Sequence, residues 1–347
     1  MNSDLETIRQ VVQHNCHITD AGYAADYTLC IYLLKMREFY RWENKQGFGT
    51  DLPREDIGVW LRKREALWES LEDADFRPIP LGGEDIDPFE TDRINADLLN
   101  QGYVYSGGLG LQTKPHFFLG RLEQQIDQDG YRILITSEEL ARDLTAPPAM
   151  SLGQTIFIRR ESLRRMVWEK VEQWDWNKLD NPLGRAIACY DFRTNLESAL
   201  EAMTEAELKV VLWHEIGEIK AGQLLGEQWE EMLMALPRSR AEFMVRSVRD
   251  HLADALVTLP HLLEQGNTAS IHFYMGNLAH MRKELFPGLR SAYDQWLQSN
   301  DTAALRDITE ISRQHWLNLG RQCLEIYQAR PLDWIKQLEN LLETSCL

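Results

Sequence analysis

The chain has 347 residues, a length that suits roughly two domains, and its 44% hydrophobic content is ample for a sizeable core. Its formal net charge of −17 argues against phosphate backbones and anionic membrane surfaces as partners. We expect neither a signal peptide nor a membrane span, because the N-terminus is not apolar and no run of about 18 apolar residues occurs. The five cysteines have no Cys-x-x-Cys spacing, so we expect a cytoplasmic protein with reduced thiols. We expect its partner to be a small molecule or peptide, which the sequence does not identify.

Residues 1–45 are predicted to form two helices. Thr19 or Asp20 is expected to cap the second helix, which is apolar nearly all round through Leu34. A helix without a polar face is usually buried, so we expect this one to lie in the core. A further amphipathic helix is predicted over residues 54–74.

Several polar groups in the N-terminal part are expected to have structural roles. One cluster matches no standard zinc spacing, and we expect its members to cap helices or to form core hydrogen bonds. Its members are His14, Cys16, His17 and Asp20. Glu38 is expected to form an ion pair within its helix. Three short basic runs lie among glutamates and are expected to be solvated helix faces: Arg62-Lys63-Arg64, Arg159-Arg160 and Arg164-Arg165.

The middle of the chain has a different character. Residues 77–89 contain three prolines and a Gly-Gly pair and are predicted to be a loop or linker. Residues 90–160 are predicted to hold short strands where β-branched and aromatic residues cluster, at 102–105, 131–135 and 155–158. The glycine-rich segment Ser106–Gly110 fits neither a dinucleotide fingerprint nor a P-loop, so we interpret it as a tight turn.

From residue 161 onward the hydrophobic spacing is helical. Helices are predicted over 161–174, 195–203, 204–236, 239–264, 268–284, 289–298, 302–328 and 331–344. The chain is therefore predicted to be mainly α, a multi-helix array with a small β-containing insertion around residues 90–160. Three parts are expected: an N-terminal helical region at 1–76, an α+β region at 77–160 and a C-terminal helical domain at 161–347.

The stretch richest in chemical groups is His214-Glu215-Ile216-Gly217-Glu218, in the predicted helix 204–236. Residues three or four apart share a helix face, so His214, Glu215 and Glu218 can address one ion or one group. The apolar residues before the motif imply burial, and a buried carboxylate needs a cation or a hydrogen-bond donor. Candidate partners follow on the next two helices: Asp250, His251, Asp254 and His272.

The first hypothesis is a mononuclear metal-dependent hydrolase. The motif resembles the HExxH helix of zincin metallohydrolases, which implies that His214 is a zinc ligand and that Glu215 is the base that deprotonates metal-bound water. The motif departs from that pattern because Glu218 stands where the second histidine belongs. In this hypothesis Glu218 is also a ligand, and the remaining ligand is one of Asp250, His251, Asp254 and His272.

Two alternatives stay open. The pairs Glu215/Glu218 and His251/Asp254 have the i, i+3 spacing of di-metal carboxylate sites in helical bundles, which would make the protein an iron or manganese oxidoreductase or oxygenase. In the other alternative, an arginine of the next helix pairs with these acidic groups. The chain is then a non-enzymatic interaction protein with a buried structural polar network.

One further resemblance concerns the chain as a whole. The segment Asn15–Glu43 resembles the opening of an uncharacterised bacterial protein family, and the likeness extends through the His214–Glu218 motif and Arg249–Asp254. The members of that family are predicted proteins, so the resemblance implies no activity. The function hypotheses therefore depend on the residues around His214 alone.

Overall fold

A computed structural model describes residues 3–110 and 113–347 of the chain. The chain divides into two compact units: one holds the residues up to Glu169 together with Leu196–Thr204, and the other holds Lys170–Asn195 and Glu205–Leu347. The predicted fold class is confirmed, because helices dominate the described residues and the strands among them lie between residues 79 and 159. The three-part division at residues 76 and 160 stays a prediction.

The N-terminal unit is built on a mixed β-sheet with helices packed against it. The sheet has the strand order β3-β4-β5-β7-β6, in which β5 and β7 run parallel and the other neighbours run antiparallel. In chain order the elements are α1 (Ser3–Tyr23), a 3₁₀ turn (Ala24–Asp26), α2 (Leu29–Glu43), α3 (Arg54–Glu69), β1 (Ile79–Leu81), β2 (Glu84–Ile86), α4 (Thr91–Leu98), a second 3₁₀ turn (Leu99–Gln101), β3 (Tyr103–Leu109), β4 (Pro115–Gln128), β5 (Tyr131–Arg142), β6 (Ala149–Leu152), β7 (Thr155–Arg159) and the first part of α5 (Arg160–Asn177).

Helix α1 is positioned by a stripe of apolar side chains. Leu5, Ile8, Val12 and Cys16 recur every three or four residues and belong to one buried cluster with side chains of the sheet. The Cys16 thiol also donates a hydrogen bond to the backbone oxygen of Phe117, at 3.1 Å. The helix therefore packs against β4, and its far end reaches the polar core of the unit.

The predictions for the second helix are wrong in two respects. Asp20 caps no helix, because it lies inside α1 and accepts a hydrogen bond from the backbone nitrogen of Leu144 at 2.9 Å. Helix α2 begins later, at Leu29, and its first two turns are exposed rather than buried. Only its second half, from Met36, enters the core of the unit.

Glycines explain two further differences from the sequence predictions. Gly82 and Gly83 have φ values of 63° and 85°, which form the turn of a β1–β2 hairpin inside the predicted loop at 77–89. Gly107 and Gly108 lie in β3 rather than in a tight turn. A Cβ atom at Gly107 would lie 2.1 Å from the backbone oxygen of Pro88, so this strand position requires glycine.

The C-terminal unit is all-helical in its described residues. Its helices are the remainder of α5, α6 (Pro182–Ala188), α7 (Leu196–Leu225, from Glu205 onward), α8 (Glu227–Ala235), α9 (Arg240–Ala253), a π-helical turn (Asp254–Thr258), α10 (Leu259–Gln265), α11 (Thr268–Asn277), α12 (His280–Leu285), α13 (Pro287–Ser299), α14 (Ala303–Ala329) and α15 (Trp334–Thr344). They enclose one large apolar core that includes Trp229, Trp316 and Tyr293. Every helix in the described residues is too short or too polar to span a bilayer.

The boundaries of these helices differ from the predicted ones for backbone reasons. The predicted helices 195–203 and 204–236 merge into α7, which ends at Leu225 because Gly226 has a φ of 80°. The predicted helix 239–264 contains a π-helical turn before Pro260, a residue that cannot donate the regular backbone hydrogen bond. That irregular turn begins at Asp254, one of the candidate site residues.

Candidate functional site

Close contact between two helix backbones positions the residues around His214. A Cβ atom at Gly217 would lie 2.4 Å from the backbone oxygen of Ala253, so glycine is what allows α7 to approach the end of α9 so closely. His214 lies almost one turn before Gly217, and Asp254 directly follows Ala253. The approach therefore brings the imidazole of His214 to the carboxylate of Asp254.

Asp254 is the centre of what we call the His214 network: His214, Glu218, Arg249, Asp254, Tyr274 and Arg282. One carboxylate oxygen of Asp254 lies 2.8 Å from Nδ1 of His214. The other accepts hydrogen bonds from the hydroxyl of Tyr274, at 2.7 Å, and from the guanidinium of Arg282. Burial disfavours the charge of Asp254, but Arg282 and His214 outweigh it and hold the pKa of this carboxyl well below its usual range.

The outer part of the network is formed by Glu218. Its carboxylate lies 3.4 Å from Nε2 of His214 and 3.5 Å from Arg249. Burial opposes these charges, but Arg249 and His214 lower the pKa of Glu218 to about 2. Asp254 and Glu218 in turn raise the pKa of His214 well above its usual value, against the effect of burial. The raised pKa favours the imidazolium form of His214, which has a carboxylate beside each ring nitrogen.

The other predicted site residues have different surroundings. His251 stacks on Trp316, and its Nε2 lies 3.0 Å from the backbone oxygen of Arg282. Burial and Arg282 lower the pKa of His251 to about 3. His272 bonds to the hydroxyl of Tyr293, at 2.8 Å.

The two remaining candidates, Glu215 and Asp250, are acidic. Glu215 is buried, and burial raises the pKa of Asp250 although Arg282 opposes this effect. The structure therefore brings together His214, Glu218 and Asp254 of the predicted set. Over residues 3–110 and 113–347, no group of three or more histidine, cysteine or acidic side chains has an arrangement that could hold a metal ion.

The N-terminal polar cluster forms hydrogen bonds in the core. Nε2 of His17 lies 2.7 Å from the guanidinium of Arg64, and its Nδ1 accepts from the indole of Trp68 at 3.3 Å. Burial, then Arg64, lowers the pKa of His17 to about 3. Glu38 pairs with Arg41 at 3.1 Å, as its spacing predicted.

A second candidate site, which the sequence analysis missed, is a cavity of about 750 Å³ in the N-terminal unit. We call it the arginine cavity. Its walls come from α1, α2 and the loop after it, β5, α5 and the first turns of α7. Where β5 meets the cavity, Gly120 pairs with Glu139 and Leu122 pairs with Thr136, so β5 carries an extra residue there. This β-bulge places Ser137, Glu138 and Glu139 on the cavity wall.

Three buried arginines line the arginine cavity: Arg142, Arg165 and Arg41, the last of which pairs with Glu38. The Nε atoms of both Arg142 and Arg165 are buried without a hydrogen-bond partner. Arg165 donates to the backbone oxygen of Ala146, at 2.6 Å, and bonds to Glu169 at 3.1 Å. For Arg142 the nearest carboxylate, that of Glu139, is 3.8 Å away.

The charge of Arg142 is poorly compensated at this distance. Arg159 already holds the carboxylate of Glu139 at 2.8 Å. Burial and the neighbouring Arg165 lower the pKa of Arg142 to about 10. Arg142 also lies over the ring of Trp42, 4.7 Å from its centroid, and donates a hydrogen bond to the backbone oxygen of Glu38 at 3.3 Å. Neither contact supplies a negative charge, so a negatively charged group in the cavity would offset the cost of burying this guanidinium.

The expectation that the basic runs are solvated is wrong for three of their members. Arg64, Arg159 and Arg165 are buried. Arg160 and Arg164 lie on the cavity wall, where they pair with acidic groups of β4 and α7. Arg159-Arg160 lies at the junction of β7 and α5, Arg164-Arg165 lies in α5, and Arg64 lies in α3.

Comparison with protein families extends over nearly the whole sequence. Two models match: the N-terminal domain of a family of unknown function, DUF6866, over residues 7–159, and its C-terminal domain over residues 164–345. The chain belongs to the DUF6866 family. This confirms the resemblance to an uncharacterised family. No curated protein and no solved structure matches the chain.

The central residues of both candidate sites fall within the DUF6866 domains. Arg142 lies in the match to the N-terminal domain, and His214 lies in the match to the C-terminal domain. The description of the family gives neither residue a role. The choice between the two sites therefore depends on their geometry.

Proposed function

We propose that this DUF6866 protein binds a small organic acid in the arginine cavity, through a carboxylate or phosphate group that pairs with Arg142. The observation that carries the proposal is the position of this guanidinium. It is buried at the wall of a cavity of about 750 Å³, and the nearest carboxylate is 3.8 Å away. Arginine presents a planar set of donors that suits carboxylate and phosphate oxygens.

The size and lining of the cavity support the same conclusion. Its volume lies in the range of pockets that hold small molecules, about 300–1,000 Å³. Trp42 and Phe48 contribute aromatic surface beside the charged groups. Such a mixture suits a ligand that carries an acidic group on a small apolar body. A polyphosphate is a poorer fit because the wall also contains several carboxylates, among them Glu138 and Glu161.

Isothermal titration calorimetry at pH 6 tests this proposal with three probes: succinate, benzoate and inorganic phosphate. We expect saturable binding of at least one probe, with one molecule per chain. Ser137→Trp should abolish it by filling the cavity from the partly exposed bulge. Arg132→Gln, in the exposed β4–β5 hairpin, is the matched control and should bind as the wild type does. If the folded wild type binds none of the probes at millimolar concentrations, the proposal is wrong.

The metal-dependent hydrolase is a second candidate. It is favoured by one observation, the adjacency of His214 and Glu218, whose side chains are 29% and 25% exposed. In this proposal they bind zinc with a ligand from Asp250, His251, Asp254 or His272, and Glu215 is the base. The di-metal alternative would use iron or manganese. Against both, the carboxylates beside His214 are already paired with arginines, which favours the structural polar network.

Elemental analysis of protein purified without chelator separates these hypotheses. If the metal hypothesis holds, a transition metal is bound, and His214→Ala and Glu218→Ala remove it. One ion per chain would favour the hydrolase and two would favour the di-metal enzyme. If the network is structural, the same substitutions lower stability and leave the metal content unchanged.

A further inference from the structure

Glu161 has the geometry of a proton-exchanging group in the arginine cavity. It lies in the first turn of α5 and lines the same cavity as Arg142 and Arg165. Its Oε2 atom accepts a hydrogen bond from the backbone nitrogen of Glu139, at 2.6 Å. Its Oε1 atom has no hydrogen-bond partner in the part of the chain that the structure describes. One oxygen thus fixes the carboxyl group, and the other is left for a ligand.

The β-bulge explains why Glu139 can hold Glu161. In a regular ladder, backbone nitrogens alternate between bonds to the two neighbouring strands. The extra residue of β5 between the pairs Gly120/Glu139 and Leu122/Thr136 disrupts that ladder. The backbone nitrogen of Glu139 instead donates its hydrogen bond to the side chain of Glu161 in α5. The same irregularity that shapes the cavity wall therefore orients the carboxyl group of Glu161.

The surroundings of Glu161 bring its pKa into the neutral range. Burial, and then the charge of Glu139, raise the pKa of Glu161 to about 7, although the bond from the Glu139 nitrogen and the charge of Arg142 oppose this. The other charged groups on the cavity walls come from five elements and one loop: Arg9 from α1; Glu38, Arg41 and Glu43 from α2; Lys45 from the loop after α2; Glu138, Glu139 and Arg142 from β5; Arg160, Arg164 and Arg165 from α5; and Glu197 and Glu201 from α7. A carboxyl group with a pKa of about 7 changes charge in the neutral range, so Glu161 can exchange a proton there.

We propose that Glu161 takes up one proton when an acid binds in this cavity, so that the ligand enters as an anion together with a proton. This inference rests on the proposed function. The proton comes from solvent and forms an O–H bond at Oε1 of Glu161, and no bond of the ligand is broken. The neutral carboxyl can then donate a hydrogen bond to the anion, whereas an ionised carboxylate would repel it. A cationic amine would have the opposite effect and would release the proton.

The pH dependence of benzoate and succinate binding tests the inference, since both acids are essentially ionised above pH 6.5. For the wild type, we expect the association constant to fall as the pH rises above 7, approaching about tenfold per pH unit, the limit for one linked proton. Titrations in two buffers of different ionisation enthalpy should show uptake of up to about one proton per anion. Glu161→Gln should bind with an affinity that is independent of pH and with no proton uptake. Asp127→Asn, in the exposed β4–β5 hairpin and outside the cavity lining, should keep the wild-type slope.

Each outcome bears on one of the two proposals. Binding of an anion by the wild type with constant affinity from pH 6.5 to 9 overturns the role of Glu161 and leaves the anion site intact. A wild-type slope in Glu161→Gln does the same. The buffer comparison gives the proton uptake of the wild type directly, so the test stands even if that variant does not fold. If no probe binds at any pH, the anion site itself is wrong and this inference fails with it.

Discussion

Two regions of the chain bury arginine beside carboxylate, and they differ in how closely the charges pair. In the His214 network, Arg282 bonds directly to Asp254. In the arginine cavity, Arg142 is 3.8 Å from the carboxylate of Glu139, which Arg159 already holds at 2.8 Å. The charge of a closely paired ion is already compensated by its partner, so no ligand is needed to balance it. Arg142, a buried cation beside a cavity and without a close carboxylate of its own, is therefore where we propose that an anion binds.

A missing hydrogen bond alone does not distinguish the two regions. The Nε atoms of Arg249 and Arg282 in the network are as unpartnered as those of Arg142 and Arg165 in the cavity. What differs is the distance to the nearest carboxylate and the adjoining space of about 750 Å³. We therefore expect a buried arginine to mark a binding site only where poor pairing and an adjoining cavity occur together.

The largest effect should follow from removing the charge at the centre of the network. Asp254→Asn leaves Arg282 and His214 without their shared anion, so we expect the free energy of unfolding to fall by about 3–5 kcal/mol. Urea denaturation followed by circular dichroism measures this change. Asp127→Asn, in the exposed β4–β5 hairpin, is the control and should change stability by less than about 0.5 kcal/mol. A similarly small loss for Asp254→Asn would mean that the network does not stabilise the fold.

A somewhat smaller effect is expected at the helix contact that assembles the network. Gly217→Ala would place a Cβ atom 2.4 Å from the backbone oxygen of Ala253, so we expect a loss of about 1–3 kcal/mol. Gly222→Ala lies on the same helix with nothing within 4 Å of its Cβ atom, and should stabilise the protein by about 0.5–1 kcal/mol. Thermal denaturation of the two variants compares them directly. If the two substitutions changed the melting temperature equally, the close approach of α7 to α9 would not be needed for stability.

The smallest of these effects is a change in pH dependence. The folded state raises the pKa of His214 above 6.5, so its contribution to stability is complete below pH 6.5 and is lost as the pH rises through the raised value. The unfolding free energy of the wild type should therefore fall above pH 6.5, by at most about 1.4 kcal/mol per pH unit from this group. His214→Gln should reduce that slope.

The control for this prediction is His280→Gln, since the side chain of His280 is 90% exposed. It should leave the slope unchanged. Burial raises the pKa of Glu207 to about 8, and Glu207 therefore adds a slope of the same sign between pH 4.5 and 8. This contribution is common to all three proteins, so the difference between them reports His214. If the unfolding free energy of His214→Gln fell with pH as steeply as that of the wild type, the positive charge assigned to His214 would be contradicted.

The sequence predicted the position of the His214 network better than its chemistry. Helical spacing placed His214 and Glu218 on one face, and the two successive helices brought Asp254 near them, as observed. The role of Arg282 could not be foreseen. It lies 28 residues beyond Asp254 on a short helix, and its approach depends on the tertiary packing of α12. Spacing along one helix carries no information about such a contact.

The arginine cavity was missed for a related reason. Its wall combines residues from Arg9 to Glu201, and no local pattern connects them. The extra residue in β5 leaves no signature in the alternation of apolar side chains, because the strand is interrupted by Ser137 and two glutamates. The basic run Arg164-Arg165 was visible, but whether such a side chain is solvated or buried is decided by the sheet beneath it.

The most direct test of the whole account compares two variants by calorimetry with the anion that the wild type binds best. Arg142→Met removes the guanidinium of the cavity, and His214→Gln changes only the network. We expect His214→Gln to bind the anion as the wild type does, and Arg142→Met to bind at least about tenfold more weakly while remaining folded, since a charge-assisted hydrogen bond contributes about 1.5–3 kcal/mol. Loss of binding in His214→Gln with undiminished binding in Arg142→Met would contradict the account and place the functional site at His214.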